Sequence, residues 1–86
     1  MNTIDAIRSY VIEEFLPGTD PQEIPADMDL LNSGIIDSLG LLKMIAWIET
    51  TFAVTVGDED LDPENFRSLD SMDRFIRTST LNRTAV

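Results

Sequence analysis

Apolar residues along this chain recur at helical rather than strand spacing. Ile4, Ile7, Val11, Ile12 and Phe15 fall on one stripe of an amphipathic helix. Thr3 is its candidate N-cap, and Pro17-Gly18 stops it after Leu16. A second stripe, Leu39, Leu42, Ile45, Ile48 and Phe52, predicts a helix over 38–52 with Asp37 or Ser38 at its N-terminus. Leu41, Met44 and Trp47 widen its apolar face beyond what one core contact needs. Further on, Ala53 to Val56 is short and β-branched, Gly57 opens an acidic turn, and Pro63 heads a short helical turn through Phe66. Ser68 can cap a last helix carrying Leu69, Met72, Phe75 and Ile76.

Between the first two stripes the periodicity disappears. Residues 17–36 contain Pro17, Pro21, Pro25, Gly18 and Gly34, and read as a long ordered loop anchored by Ile24, Met28, Leu30, Leu31 and Ile36. A connection that long in a small domain is uncommon and usually functional. From Thr78 the chain turns polar and aperiodic. The expectation is therefore a single all-α domain over 1–78 and a flexible C-terminal tail over 79–86. The fold expected is a bundle of three main helices and one short one with a long first loop. Its core is expected to hold Ile4, Ile7, Val11, Phe15, Leu39, Leu42, Ile45, Ile48, Phe52, Phe66, Leu69, Met72 and Phe75.

Composition narrows the chemistry. With 86 residues, 43% of them hydrophobic, the chain can build one small core. It has no Cys and no His, which removes disulfides, thiolate nucleophiles, Ser-His and Cys-His dyads and the usual zinc ligand sets. A formal charge of −10 argues against nucleic acid and against an anionic membrane surface, both of which need clustered Lys/Arg. No apolar run approaches the roughly 20 residues of a membrane span, and no signal-peptide pattern follows Met1. The reading is an acidic, cytoplasmic, monomeric module that meets partners with basic surfaces and is not itself an enzyme. Arg8, Arg67, Arg74, Arg77 and Arg83 are scattered and read as solvated-face residues.

One junction stands out. In Gly34-Ile35-Ile36-Asp37-Ser38-Leu39-Gly40 a serine sits where the long loop enters a helix, at the positive end of the helix dipole and behind an acid. Taken alone, Asp-Ser-Leu is also what an ordinary helix cap looks like. The run Asp58-x-Asp60-x-Asp62 begins like a calcium loop, but Pro63 stands at the sixth position, where Gly is required, and Leu69 at the twelfth, where Glu belongs. It reads as a solvated acidic turn, and no metal site is expected.

The stretch Asp29 to Leu39, with Leu31, Gly34, Asp37, Ser38 and Leu39, followed by Glu49 and Phe52, resembles the modification site of the acyl carrier and peptidyl (aminoacyl) carrier protein family. Phe66-Arg67-Ser68-Leu69 followed by Met72 resembles that family's entry into its last helix. The likeness covers residues 3–78. It implies an acyl-carrier-protein-like four-helix bundle carrying phosphopantetheine covalently on Ser38. A phosphopantetheinyl transferase would install the group from coenzyme A, with Mg²⁺ needed only for that step and Asp37 assisting it. The thiol would then hold an acyl or aminoacyl group as a thioester, brought by an adenylating enzyme (ligase) or acyltransferase and used by condensing or tailoring enzymes. Leu39, Gly40, Leu41, Lys43, Met44 and Trp47 are the candidate partner contacts.

Fatty-acid carriers in this family have a markedly acidic second helix, whereas here that helix holds Lys43 and, as its only acid, Glu49. This points to a free-standing carrier of an amino acid or short acyl unit in a specialised, secondary-metabolite pathway. A fatty-acid or polyketide chain carrier is the alternative. From another class, the alternative is an unmodified acidic helical interaction module that binds a partner helix through Leu41, Met44 and Trp47.

Overall fold

A computed structural model describes residues 2–84, with side chains described through residue 79. Among the described residues the chain is all helical: α1 (Thr3–Phe15), α2 (Ser38–Phe52) and α3 (Leu69–Thr84), with 3₁₀ turns at Pro21–Glu23, Asp58–Asp60 and Pro63–Phe66. The last of these turns is the short fourth helix expected from Pro63. It starts with Pro63 at its first position and Asp62 accepting from the Glu64 N–H as its cap.

The caps explain where the helices begin. Asn2, not Thr3, caps α1: its side chain accepts from the Asp5 N–H at 2.8 Å. Asp37 caps α2, and the Ser68 hydroxyl accepts from the Ser71 N–H at the start of α3. Beyond α2 the chain turns through Ala53 in the left-handed region (φ 54°), and Glu49 reaches over to accept the Val56 N–H at 2.9 Å.

The core is built by Ile7 and Val11 of α1, Met44 and Ile48 of α2, and Leu69, Met72, Phe75 and Ile76 of α3, closed by Phe66, Val54 and the loop residues Ile24, Leu30 and Ile36. Met28 and Leu31, the other two expected loop anchors, are half-buried against it. Two departures from the sequence reading matter. First, Leu39 and Leu42 are not core: they are 65% and 63% exposed, while Met44 is fully buried. Second, α3 continues to Thr84, so the expected tail is helical over residues 79–84, and its last two residues lie outside the described ones.

The register of α2 follows from Gly40. An added Cβ there would come within 2.8 Å of the Phe15 ring and 3.2 Å of the Asp37 carboxylate, so the end of α1 packs directly on the α2 backbone at this position. That approach turns Gly40, Met44 and Ile48, spaced i, i+4, i+8, toward the core. Leu39 and Leu42 then face outward. Gly40→Ala gains up to about 1 kcal/mol of helix propensity but overpacks the crossing, a cost of about 1–3 kcal/mol. The expected outcome is a net lower melting temperature together with a weaker Asp37 cap, read by thermal unfolding and by faster exchange of the residue-40 amide.

Candidate functional site

The long first loop is tied down at four places. Arg8 Nε donates to the Ile24 carbonyl at 3.0 Å. The Asp70 N–H donates to the Ala26 carbonyl at 3.0 Å, and the Leu30 N–H donates to the Arg67 carbonyl at 2.8 Å. The Ile36 N–H then closes back on the Leu30 carbonyl at 3.0 Å, a loop within the loop that turns through Gly34 (φ 84°). A side chain is disfavoured at that φ, which accounts for the glycine.

At the root of this inner loop lies Asp29. Its carboxylate accepts from the Leu31 and Asn32 N–H groups at 3.2 and 2.9 Å and from the Asn32 side-chain amide at 2.7 Å. The Arg67 guanidinium stands 3.6 Å away. The Asn32 backbone N–H is the main reason the carboxyl is held below its usual value near 3.8; partial burial opposes the shift, and the Asn32 amide, Arg67 and the Leu31 N–H add to it. Because the folded value is depressed, this contribution to loop order is present above pH 3.8 and lost as the pH falls through the folded value. Acid titration followed by amide exchange should therefore open residues 29–33 once Asp29 protonates. Asp29→Ala, which removes the acceptor of the Leu31 and Asn32 N–H groups, should show that open loop already at neutral pH.

The loop delivers the chain to α2 with Asp37 extended (φ −94°, ψ −172°), its carboxylate accepting from the Gly40 N–H at 2.7 Å. Ser38 follows as the first helical residue, exposed, with its hydroxyl outside the capping bond. The N–H groups of the first helical positions have no acceptor within the helix, and the helix dipole is positive there. Beside Ser38 runs an open groove of about 350 Å³ lined by Leu31, Ile36, Asp37, Ser38, Leu41 and Pro63.

The residues singled out from the sequence are therefore not all on one surface. Asp37, Ser38, Leu39 and Lys43 are exposed, and Leu41 is half-buried along the groove. Gly40 and Met44 are buried, so as partner contacts they are corrected: Gly40 serves the α1 crossing and Met44 the core. Trp47 is half-buried; its ring stacks on Tyr10 at 4.4 Å and meets the edge of Phe52 at 5.5 Å. Leu42 was missed as a surface residue, although it lies three residues from Leu39, and i,i+3 spacing alone puts the two on one face.

Two arginines assigned to solvated faces also hold structure. Arg8 anchors the loop as described, and Arg67 bridges Asp29 and Glu64 with its Nε buried. The acidic run 58–62 is partly consumed by caps: Asp60 accepts from the Gly57 N–H and Asp62 from the Glu64 N–H. Among the described residues no group of three His, Cys, Asp or Glu could hold a metal ion, and no helix is long and apolar enough to cross a membrane.

Comparison with known proteins places this geometry. The D-alanyl carrier protein of Lactococcus lactis subsp. cremoris strain MG1363 is 28% identical over 71 residues, covering 83% of this chain and 90% of the relative. That of L. lactis subsp. lactis strain IL1403 is 30% identical over 59 residues, covering 69% and 75%. Among solved structures, apo KstB-PCP matches with a TM-score of 0.76 at 47% identity, over 87% of this chain and 82% of that one. The solution structure of KstB-PCP in kosinostatin biosynthesis matches with a TM-score of 0.65 at 46% identity, over 92% and 89%. The family model for the phosphopantetheine attachment site matches residues 6–76. That span takes in α2 with the loop before it and reaches well into α3, and the chain belongs to the phosphopantetheine attachment-site family, carrier proteins whose prosthetic group is held covalently on a serine.

Proposed function

We propose that Ser38 is the serine that carries phosphopantetheine, and that the chain presents an acyl or aminoacyl thioester to partner enzymes of a specialised biosynthetic pathway. The observation that carries this reading is the placement of Ser38: exposed, first in α2, held by the Asp37 cap and a clamped loop, and opening onto the groove. The residues present fit the group. Unpaired N–H groups of the first turn suit a phosphodiester, and Leu31, Ile36, Leu41 and Pro63 give a flexible arm an apolar wall. When bound, the group supplies the thiol that a chain without cysteine lacks.

Asp37 stays engaged with the Gly40 N–H and disfavours a nearby phosphate, so its use in the modification is to meet the Mg²⁺ or a basic side chain of the transferase. The chain itself is non-catalytic, acts as a monomer in the cytoplasm, and depends on three kinds of partner: a phosphopantetheinyl transferase, an adenylating or acyltransferase loading enzyme, and condensing or tailoring enzymes. Exposed Leu39 and Leu42 beside Lys43 give α2 an apolar, non-acidic docking face. That face, and relatives named for D-alanyl and peptidyl carriage, favour an amino acid or short acyl load over a fatty or polyketide chain.

The test is intact mass after incubation with coenzyme A, Mg²⁺ and a promiscuous phosphopantetheinyl transferase, followed by peptide mapping. A gain of one phosphopantetheine on the Ser38 peptide supports the reading. No gain on folded protein, or a gain on another serine, overturns it. Offering the modified protein to adenylating enzymes and then to fatty-acid or polyketide enzymes separates the loads.

A further inference from the structure

Arg67 lies behind the groove and pairs with two carboxylates, Asp29 and Glu64, that neighbour its lining residues. Its guanidinium lies 3.6 Å from Asp29, whose carboxylate holds the Leu31 and Asn32 N–H groups, and it pairs on its other side with Glu64, the residue after Pro63. Its backbone carbonyl accepts from the Leu30 N–H, the bond from which the inner loop closes. Leu31, Ile36 and Pro63 all line the groove, and Arg67 connects the loop that carries the first two with the turn that starts at Pro63. The Arg67 Nε is buried and has no hydrogen-bond partner among the described residues. A desolvated donor without a partner is uncommon and calls for an explanation. The two terminal nitrogens of the guanidinium reach the two carboxylates, Nη1 toward Asp29 and Nη2 toward Glu64.

We infer that Arg67 is a positioning residue for the Ser38 site: by tying Asp29 to Glu64 it keeps the Leu31–Ile36 loop and the Pro63 turn in the register that presents Ser38 and the groove ready-formed. The inference rests on the reading of Ser38 as the attachment serine. Ion pairs this exposed contribute little to global stability, so the effect of Arg67 is local order. A loop that must be ordered at each encounter weakens binding of the partner and leaves the chemical step as it was.

The test uses the apo chain with a phosphopantetheinyl transferase, coenzyme A and Mg²⁺. For Arg67→Met, the carrier KM is expected to rise about tenfold with kcat within about twofold, and the Leu31 and Asn32 amides to exchange faster. Arg67→Lys, a point charge able to serve one carboxylate at a time, should recover part of both effects. Val54→Ala, a buried position outside the groove, is the control: it lowers the melting temperature and should leave the KM unchanged. The inference is overturned if Arg67→Met keeps the wild-type KM and exchange rates, or if Val54→Ala raises the KM as much. A wild-type chain that takes no group on Ser38 overturns the carrier reading and this inference together, whereas normal modification with an unaffected Arg67→Met overturns this inference alone.

Discussion

Ser38→Ala is expected to fold as the wild type does and to show no mass gain with coenzyme A, Mg²⁺ and a transferase that modifies the wild type. The two halves of that outcome have separate causes. Folding survives because the bond that starts α2 belongs to Asp37, whose carboxylate takes the Gly40 N–H, and the Ser38 hydroxyl is exposed and outside that bond. Exposed substitutions of this kind change stability by about 0.5 kcal/mol or less, and alanine is the better helix former. Modification is lost because the other serines near this end of the molecule are differently placed. The Ser33 hydroxyl donates to the Leu30 carbonyl at 3.2 Å, and Ser68 is buried and shared with Ser71. Mass spectrometry beside a thermal melt reads both halves at once. Persistent modification of a folded Ser38→Ala chain would place the attachment elsewhere.

The second large effect concerns which face of α2 does what. Met44→Ala removes a fully buried side chain, a change that costs about 2–5 kcal/mol. A chain of 86 residues has about 4–13 kcal/mol of stability in total, so much of it would go. Leu42→Ala, two residues away at a side chain 63% exposed, should change stability by about 0.5 kcal/mol or less while weakening the encounter with loading or modifying enzymes. Urea unfolding measures the first quantity, and the KM of the carrier in the transferase reaction the second. Equal destabilisation by the two substitutions would mean that α2 is rotated from the register described.

Much of the site can be read directly from the chain. Asp37-Ser38-Leu39 behind Gly34 marks a helix entry, because an acid at that position caps and a glycine permits the positive φ of the turn before it. The last helix is equally readable: Leu69, Met72, Phe75 and Ile76 are its only large apolar residues before residue 80, so one stripe is possible, and all four are buried. The second helix is different. Leu39, Leu41, Leu42, Met44, Ile45, Trp47 and Ile48 cover most of its circumference, so apolar spacing fits two registers. The choice is made by a contact from outside the helix, the Phe15 ring against Gly40. Likewise a polar run after Thr78 has no apolar period to announce a helix, yet α3 continues to Thr84 as an extension of a helix already nucleated by its packed first turns.

Helical spacing, the ordered proline-rich loop, the serine at the start of α2 and the absence of any thiol are all legible in the order of residues. Each of these depends on residue identity or on contacts a few positions apart. Packing between distant segments, by contrast, turns Leu42 to solvent and Met44 to the core, sets Trp47 against Tyr10, and brings Arg8 and Arg67 to the loop. Those outcomes depend on partners far away in the chain, such as Ile24 for Arg8 and Asp29 for Arg67, and nothing in local spacing encodes which distant group a long polar side chain will reach.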